Sequence, residues 1–184
     1  MTFLPITPPA SLKPETRAVI DAFASSRGGQ TTNLQAALLG NIPSFTAYAQ
    51  WYSLWDEIAP WIGERALSLF SYAISDENEC PGSALFFRKN LIDAGDDPDH
   101  PQVTETEQLL IDWGRLIAGS PHAISREFYG RLEAAFSPER RLTLLSFAGL
   151  TVATNLLNTV GQIPLDDGLS DYRRQGEQPA DQRH

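Results

Sequence analysis

The stretch SDENECPGSALFFRK, which starts at Ser75, holds the one cysteine of this 184-residue chain, Cys80. Ser83 stands three positions on, where a second cysteine would complete a Cys-x-x-Cys pair. Such a pair does thiol redox chemistry: one thiolate attacks a peroxide or disulfide, and the second thiol resolves the product. With serine in second place two readings stay open. Cys80 is the sole thiol of a one-cysteine site, or it is a residue in a turn before Pro81, where a helix starts. A helix N-terminus favours the thiolate, whereas the acidic neighbours Asp76, Glu77 and Glu79 disfavour it. Phe86 and Phe87 follow and can shuttle no proton. His100, His122 and His184 fall in loops or in the tail.

Other chemistries find no residues to carry them. No Glu-x-x-His pair supports a di-iron bundle, no His/Cys cluster suits zinc, and neither a P-loop nor a dinucleotide-binding glycine turn occurs. No metal and no cofactor are therefore expected. The net charge of −9 speaks against nucleic acid as a partner, because no basic stripe could neutralise phosphates. No apolar run reads as long enough to span a bilayer, and the start MTFLPITPPASLKPE has no secretory pattern, so no membrane is expected. One cysteine permits no intrachain disulfide and fits a cytoplasmic protein.

The elements that must position Cys80 read as helices throughout. Pro14 opens a first helix with Val19, Ile20 and Phe23 at helical spacing, and SSRGGQ breaks it. A short helix runs from about Asn33 to Leu39 and ends at Gly40. PSFTAYAQWYSLWDEIAPW places Phe45, Tyr48, Tyr52 and Trp55 on one face, and Pro60 ends or kinks that helix. GERALSLFSYAIS is apolar on more than one face and should be central. SALFFRKNLIDAG forms a helix that closes at Gly95. Thr104 and Glu107 have capping-box spacing ahead of a stripe through Leu109, Leu110, Trp113, Leu116 and Ile117. ISREFYGRLEAAF is a shorter helix. Ser137, Pro138 and Glu139 start a long, mostly uncharged last helix whose small residues Ser146, Ala148, Gly149 and Ala153 allow close approach. No strand pattern competes, so the fold class is all-α, with about seven or eight helices. Trp51, Tyr52, Trp55 and Trp61 crowd one segment and serve either the core or an interface or pocket. An apolar small-molecule pocket would be lined by Trp51, Trp55, Phe86, Phe87 and Trp113.

In this order the motifs resemble the carboxymuconolactone decarboxylase and alkylhydroperoxidase-D-like superfamily over about residues 30 to 166. LQAALLGNIPSFTAYAQWYSLW is similar to the helix that precedes its redox helix, GERALSLFSYAIS to its core helix, and SPERRLTLLSFAGLTVATNLLNTVGQIPLD to its long last helix. The resemblance divides the chain into an N-terminal arm and first helix (1–29), the helical domain (30–166) and a polar tail (167–184). It implies an alkylhydroperoxidase-D-like bundle and a homo-oligomer with pockets between subunits. Active members carry Cys-x-x-Cys, a His four residues later and a Glu on the preceding helix. Counted back from Gly95, Cys80 matches the first cysteine, Ser83 the second and Phe87 the histidine. An ungapped count from the core helix instead matches Cys80 to the second cysteine.

The expectation is a family protein with degenerate redox residues that is not a conventional peroxidase. Whether it is an enzyme stays open. As a one-cysteine peroxidase or thiol-dependent oxidoreductase it would use Cys80 as nucleophile, Glu79 or Glu64 as proton acceptor and Ser83 to hydrogen-bond the thiolate. As a binding protein it would be a homo-oligomer that takes a small apolar or peroxide ligand.

Overall fold

The computed structural model describes residues 2–8, 11–26 and 31–174, the side chains of residues 15, 19, 24 and 26 excepted. Eight α-helices follow one another: α1 (Pro14–Ser26), α2 (Asn33–Leu38), α3 (Ile42–Ile62), α4 (Glu64–Glu77), α5 (Pro81–Asp93), α6 (Glu105–Gly119), α7 (Arg126–Ala135) and α8 (Pro138–Val160). Two short 3₁₀ turns, Pro121–Ala123 and Leu169–Tyr172, complete the described elements, and no strand occurs among them.

Local chemistry explains the helix ends. Thr32 and Thr104 both form complete capping boxes, with Gln35 and Glu107 reaching back to the cap N–H. Asn41, Ser125 and Ser137 cap α3, α7 and α8 through side-chain oxygens. Pro60 lies inside α3, which runs on to Ile62 before Gly63 at φ 90° ends it. A positive φ is open to glycine because it has no Cβ. Pro60 therefore does not end the helix.

α4 is central, and its apolar girth is the reason. Ala66 through Ser75 are all buried, so every side of the helix needs a neighbour. α3, α5, α6 and α8 supply them. The main core joins Leu67, Phe70 and Ile74 of α4 to Leu110 and Trp113 of α6 and to Leu144 and Phe147 of α8. Gly114 lets α6 approach α4 closely, since a Cβ there would come within 3.0 Å of the Phe70 carbonyl oxygen.

α8 is long and apolar enough, by length and composition, to cross a membrane. That corrects the reading that no apolar run approaches such a length. Here Leu144, Phe147, Ala148, Thr151 and Asn155 are buried, as in a core helix. The segment assigned to the polar tail begins with packed structure: Leu169 is buried, the turn Leu169–Tyr172 lies on α5, and Arg174 donates to the Tyr72 hydroxyl at 2.8 Å. Residues 175–184, including His184, and most of the break at 25–30 lie outside the described residues.

Candidate functional site

Cys80 is the N-cap of α5. Its side chain makes no capping bond to the helix; its backbone N–H donates to the Ser75 carbonyl at 3.0 Å, which closes the α4–α5 turn. The residue is 2% exposed. Its thiol points at the Ser83 hydroxyl, with Sγ and Oγ 3.6 Å apart, and Asn158 of α8 donates from Nδ2 to the same Oγ at 3.2 Å. Ser83 thus accepts twice, and its own proton is committed to neither partner.

A second polar row lies alongside. Asn155, 2% exposed, accepts from the Ser75 hydroxyl at 3.3 Å and donates to Asn78 Oδ1 at 3.1 Å. Thr151 accepts from the Trp51 indole N–H at 2.9 Å and donates to the Phe147 carbonyl at 2.9 Å. Thr151, Asn155 and Asn158 are spaced i, i+4, i+7, so one face of α8 carries the polar groups that tie α3, α4 and α5 together. They are assigned no role in a site by the sequence analysis, although polar residues at helical spacing within TVATNLLNTV were the signal.

These groups form one wall of a cavity of about 120 Å³. Rings supply the rest: Phe23, Phe45, Tyr48, Trp51, Tyr52, Phe86 and Phe87 all face it. They are fixed by edge contacts of Phe23 with Phe45 and Tyr52 and of Phe86 with Phe87, at centroid distances of 5.0 to 5.3 Å. Gln35 orients the Tyr52 hydroxyl by donating to it at 2.9 Å. At the edge sits Asp166, from the loop after α8. Its Oδ1 accepts the Asn33 backbone N–H at 2.5 Å, and the Asn33 side chain holds the Pro164 and Leu165 carbonyls at 3.3 and 3.0 Å. Burial pushes the Asp166 carboxyl above its ordinary range, and nearby Asp167 adds to that, against the Asn33 hydrogen bond.

Two of the four residues singled out from the sequence come together here: Cys80 and Ser83. Glu79 follows the α4 end in the left-handed region at φ 51°, with its side chain exposed. Glu64 is exposed at the first position of α4, the far end from Cys80. Along a helix of this length the separation is roughly 20 Å, so Glu64 takes no proton from the thiol. Of the five predicted pocket rings, Trp51, Phe86 and Phe87 line the cavity. Trp55 packs beside Trp51 and Phe147, and Trp113 stacks on Phe70 within the main core. No cluster of three or more metal-ligating side chains occurs among the described residues.

No protein-family model matches the chain, and no curated protein matches it significantly. Solved structures do. A peroxidase-related protein from a Silicibacter species superposes with a TM-score of 0.74 at 14% identity, covering 92% of this chain and 94% of that one. The debrominase Bmp8, solved as a cysteine-to-alanine variant in complex with 2,3,4-tribromopyrrole, gives 0.72 at 13% identity over 91% and 94%. A peroxidase-related protein of the alkylhydroperoxidase AhpD core from Ralstonia eutropha gives 0.66 at 14% identity, again over 91% and 94%. The all-helical chain therefore has the alkylhydroperoxidase-D-like fold.

Proposed function

We propose that this chain is a carboxymuconolactone decarboxylase-like protein with degenerate redox residues, and that it binds a ring-sized apolar molecule in the cavity between α2, α3, α5 and α8. The observation that carries this reading is a cavity of about 120 Å³ walled by rings on one side and by Ser83, Thr154, Asn155 and Asn158 on the other. An engineered apolar cavity of about 150 Å³ holds benzene, so a space of about 120 Å³ suits at most one aromatic ring, with any substituent at its open edge. The Ser83 proton, uncommitted to Cys80 or Asn158, gives such a molecule a donor.

Two-thiol peroxide chemistry is disfavoured by the residues themselves. Ser83 cannot resolve a sulfenic acid, and Phe87, matched to the histidine, is a buried ring that moves no proton. A second reading keeps the thiol, which stands behind Ser83 rather than on the cavity wall: Cys80 Sγ takes one oxygen of a peroxide as the O–O bond breaks and the other oxygen leaves as water or an alcohol, and two equivalents of an external thiol return the sulfenic acid to the thiol with loss of water and formation of their disulfide. The 3.6 Å contact favours it, as does the likeness to a debrominase solved as a cysteine variant with a halogenated ring. The subunits would assemble as homo-oligomers through the outer face of α8. There Leu142, Leu145, Leu156 and Val160 are exposed, and Gly149 has open space where a side chain would stand.

Calorimetric titration with benzyl alcohol tests the binding reading. Saturable binding to the wild type and its loss in Gly82→Leu are expected, since Gly82 lines the cavity and a longer side chain there would enter it. No heat of binding from the wild type would overturn it. Consumption of peroxide or dehalogenation of a bromopyrrole, abolished by Cys80→Ser, would carry the second reading.

A further inference from the structure

Among the described residues, Asp166 is the one acidic or basic side chain on the cavity wall. It is half-buried, and it faces a space otherwise lined by rings, aliphatic side chains and neutral polar groups. An ionised carboxylate offers about four acceptor positions. Among the described residues Asp166 uses one, for the Asn33 N–H. Among these residues no salt bridge reaches it, and the charge that acts on it is a like one, Asp167. Burying a carboxylate against apolar surface without a cation is unfavourable. The loop is nonetheless built to keep it there: Asn33 clamps both Pro164 and Leu165, which fixes the residues leading into Asp166. Leu165 also lies across the cavity edge, where a Cβ on Gly82 would meet its Cδ2 at 3.8 Å.

From this geometry, and resting on the reading of the cavity as a ligand site, we infer that the cavity takes a single-ring aromatic molecule bearing one protonated amine, with Asp166 as the group that selects the amine. The ring fills the space between Trp51, Tyr52 and Phe86, and the ammonium reaches the carboxylate at the edge without losing all its water. The net charge of −9 draws cations toward the chain in general. Asp166 makes the preference local, and it also repels carboxylate-bearing rings of the same size. Burial has already made the Asp166 charge costly, so an ammonium partner relieves a penalty that a neutral ligand leaves in place.

Benzyl alcohol, benzylamine and benzoate, titrated by calorimetry at pH 7.0, test the inference as three probes of nearly equal size. Benzylamine should bind about tenfold more tightly than benzyl alcohol, as a charge-assisted hydrogen bond implies, and benzoate more weakly than either. Asp166→Asn, whose amide oxygen still accepts the Asn33 N–H, should abolish the preference for the amine over benzyl alcohol. In the wild type the preference should also shrink as the pH falls through the carboxyl range, while benzyl alcohol stays level; this arm stands if the variant fails to fold. Equal or tighter binding of benzyl alcohol by the wild type overturns the role of Asp166 but leaves the cavity a ligand site. An amine preference that survives intact in folded Asp166→Asn does the same. Binding of none of the three overturns the cavity reading and this inference together.

Discussion

The thiol of Cys80 and the hydroxyl of Ser83 meet across the first turn of α5, 3.6 Å apart. A helix brings positions i and i+3 to the same face, so Cys80 and Ser83 stand at the spacing and on the face that a Cys-x-x-Cys pair would need. Replacing that hydroxyl with a thiol should therefore create a redox pair. Ser83→Cys should lose both free thiols on mild oxidation and gain one intramolecular disulfide, seen as a mass decrease of about 2 Da with no dimer. Two reactive thiols persisting in the oxidised, folded variant would contradict the placement.

Burial of Cys80 predicts its reactivity in the unmodified chain. At 2% exposure the sulfur is shielded from reagents too large for the cavity wall to admit. Labelling with a bulky maleimide should be at least about tenfold slower in the native state than in urea, because it must await local opening. Equal rates in the two states would show that the thiol faces solvent.

Asn155 ties α8 to the α4–α5 turn through Ser75 and Asn78. Truncation leaves the buried Ser75 and the half-buried Asn78 each short of a bond. Asn155→Ala should cost about 1–3 kcal/mol in urea unfolding, while Asn158→Ala, at a half-buried position, should cost about 1 kcal/mol or less. A smaller loss for Asn155 than for Asn158 would reverse the roles assigned to the two amides.

Acid should weaken the fold through Glu107. Burial alone would raise this carboxyl, but the Thr104 backbone N–H and the Arg65 guanidinium outweigh it and hold the group below its ordinary range. Its folded value thus lies under its unfolded one. The stabilisation is complete above the ordinary carboxylate range and is lost as the pH falls through the lowered folded value. Arg65 also grips Asp96 through Nε at 2.9 Å, so Arg65→Met should cost about 1 kcal/mol at pH 7 and flatten the decline on the way to pH 3. Unchanged acid sensitivity in that variant would assign the effect to other groups.

The outer face of α8 predicts assembly. Leu142, Leu145, Leu156 and Val160 recur at helical spacing on the side opposite Leu144, Phe147, Thr151 and Asn155. Light scattering should give a mass that is a multiple of the 20.3 kDa chain, and Leu145→Glu with Leu156→Glu should return it to one chain. A wild type that stays monomeric at micromolar concentration would remove this face from the account.

The fold was largely legible in the residues. The capping box at Thr104, the Ser137-Pro138 start and the all-round apolar pattern of Leu67 to Ile74 are local signals, and local signals act through neighbours three and four positions away. The same locality put Ser83 beside Cys80. It misplaced Glu64, because a residue near the thiol in sequence can stand a whole helix away in space. It also misassigned Trp55 and Trp113, since periodicity tells which face a ring shares but not which neighbour covers that face. The cavity was decided by tertiary structure alone. Asn33 and Asp166 stand 133 positions apart, and Trp51 and Thr151 stand 100 apart. No spacing rule links them. They meet because α2, α3, α5 and α8 bury their apolar faces together, and the rings left at that junction, too bulky to close it, leave the space that Ser83 and Asp166 border.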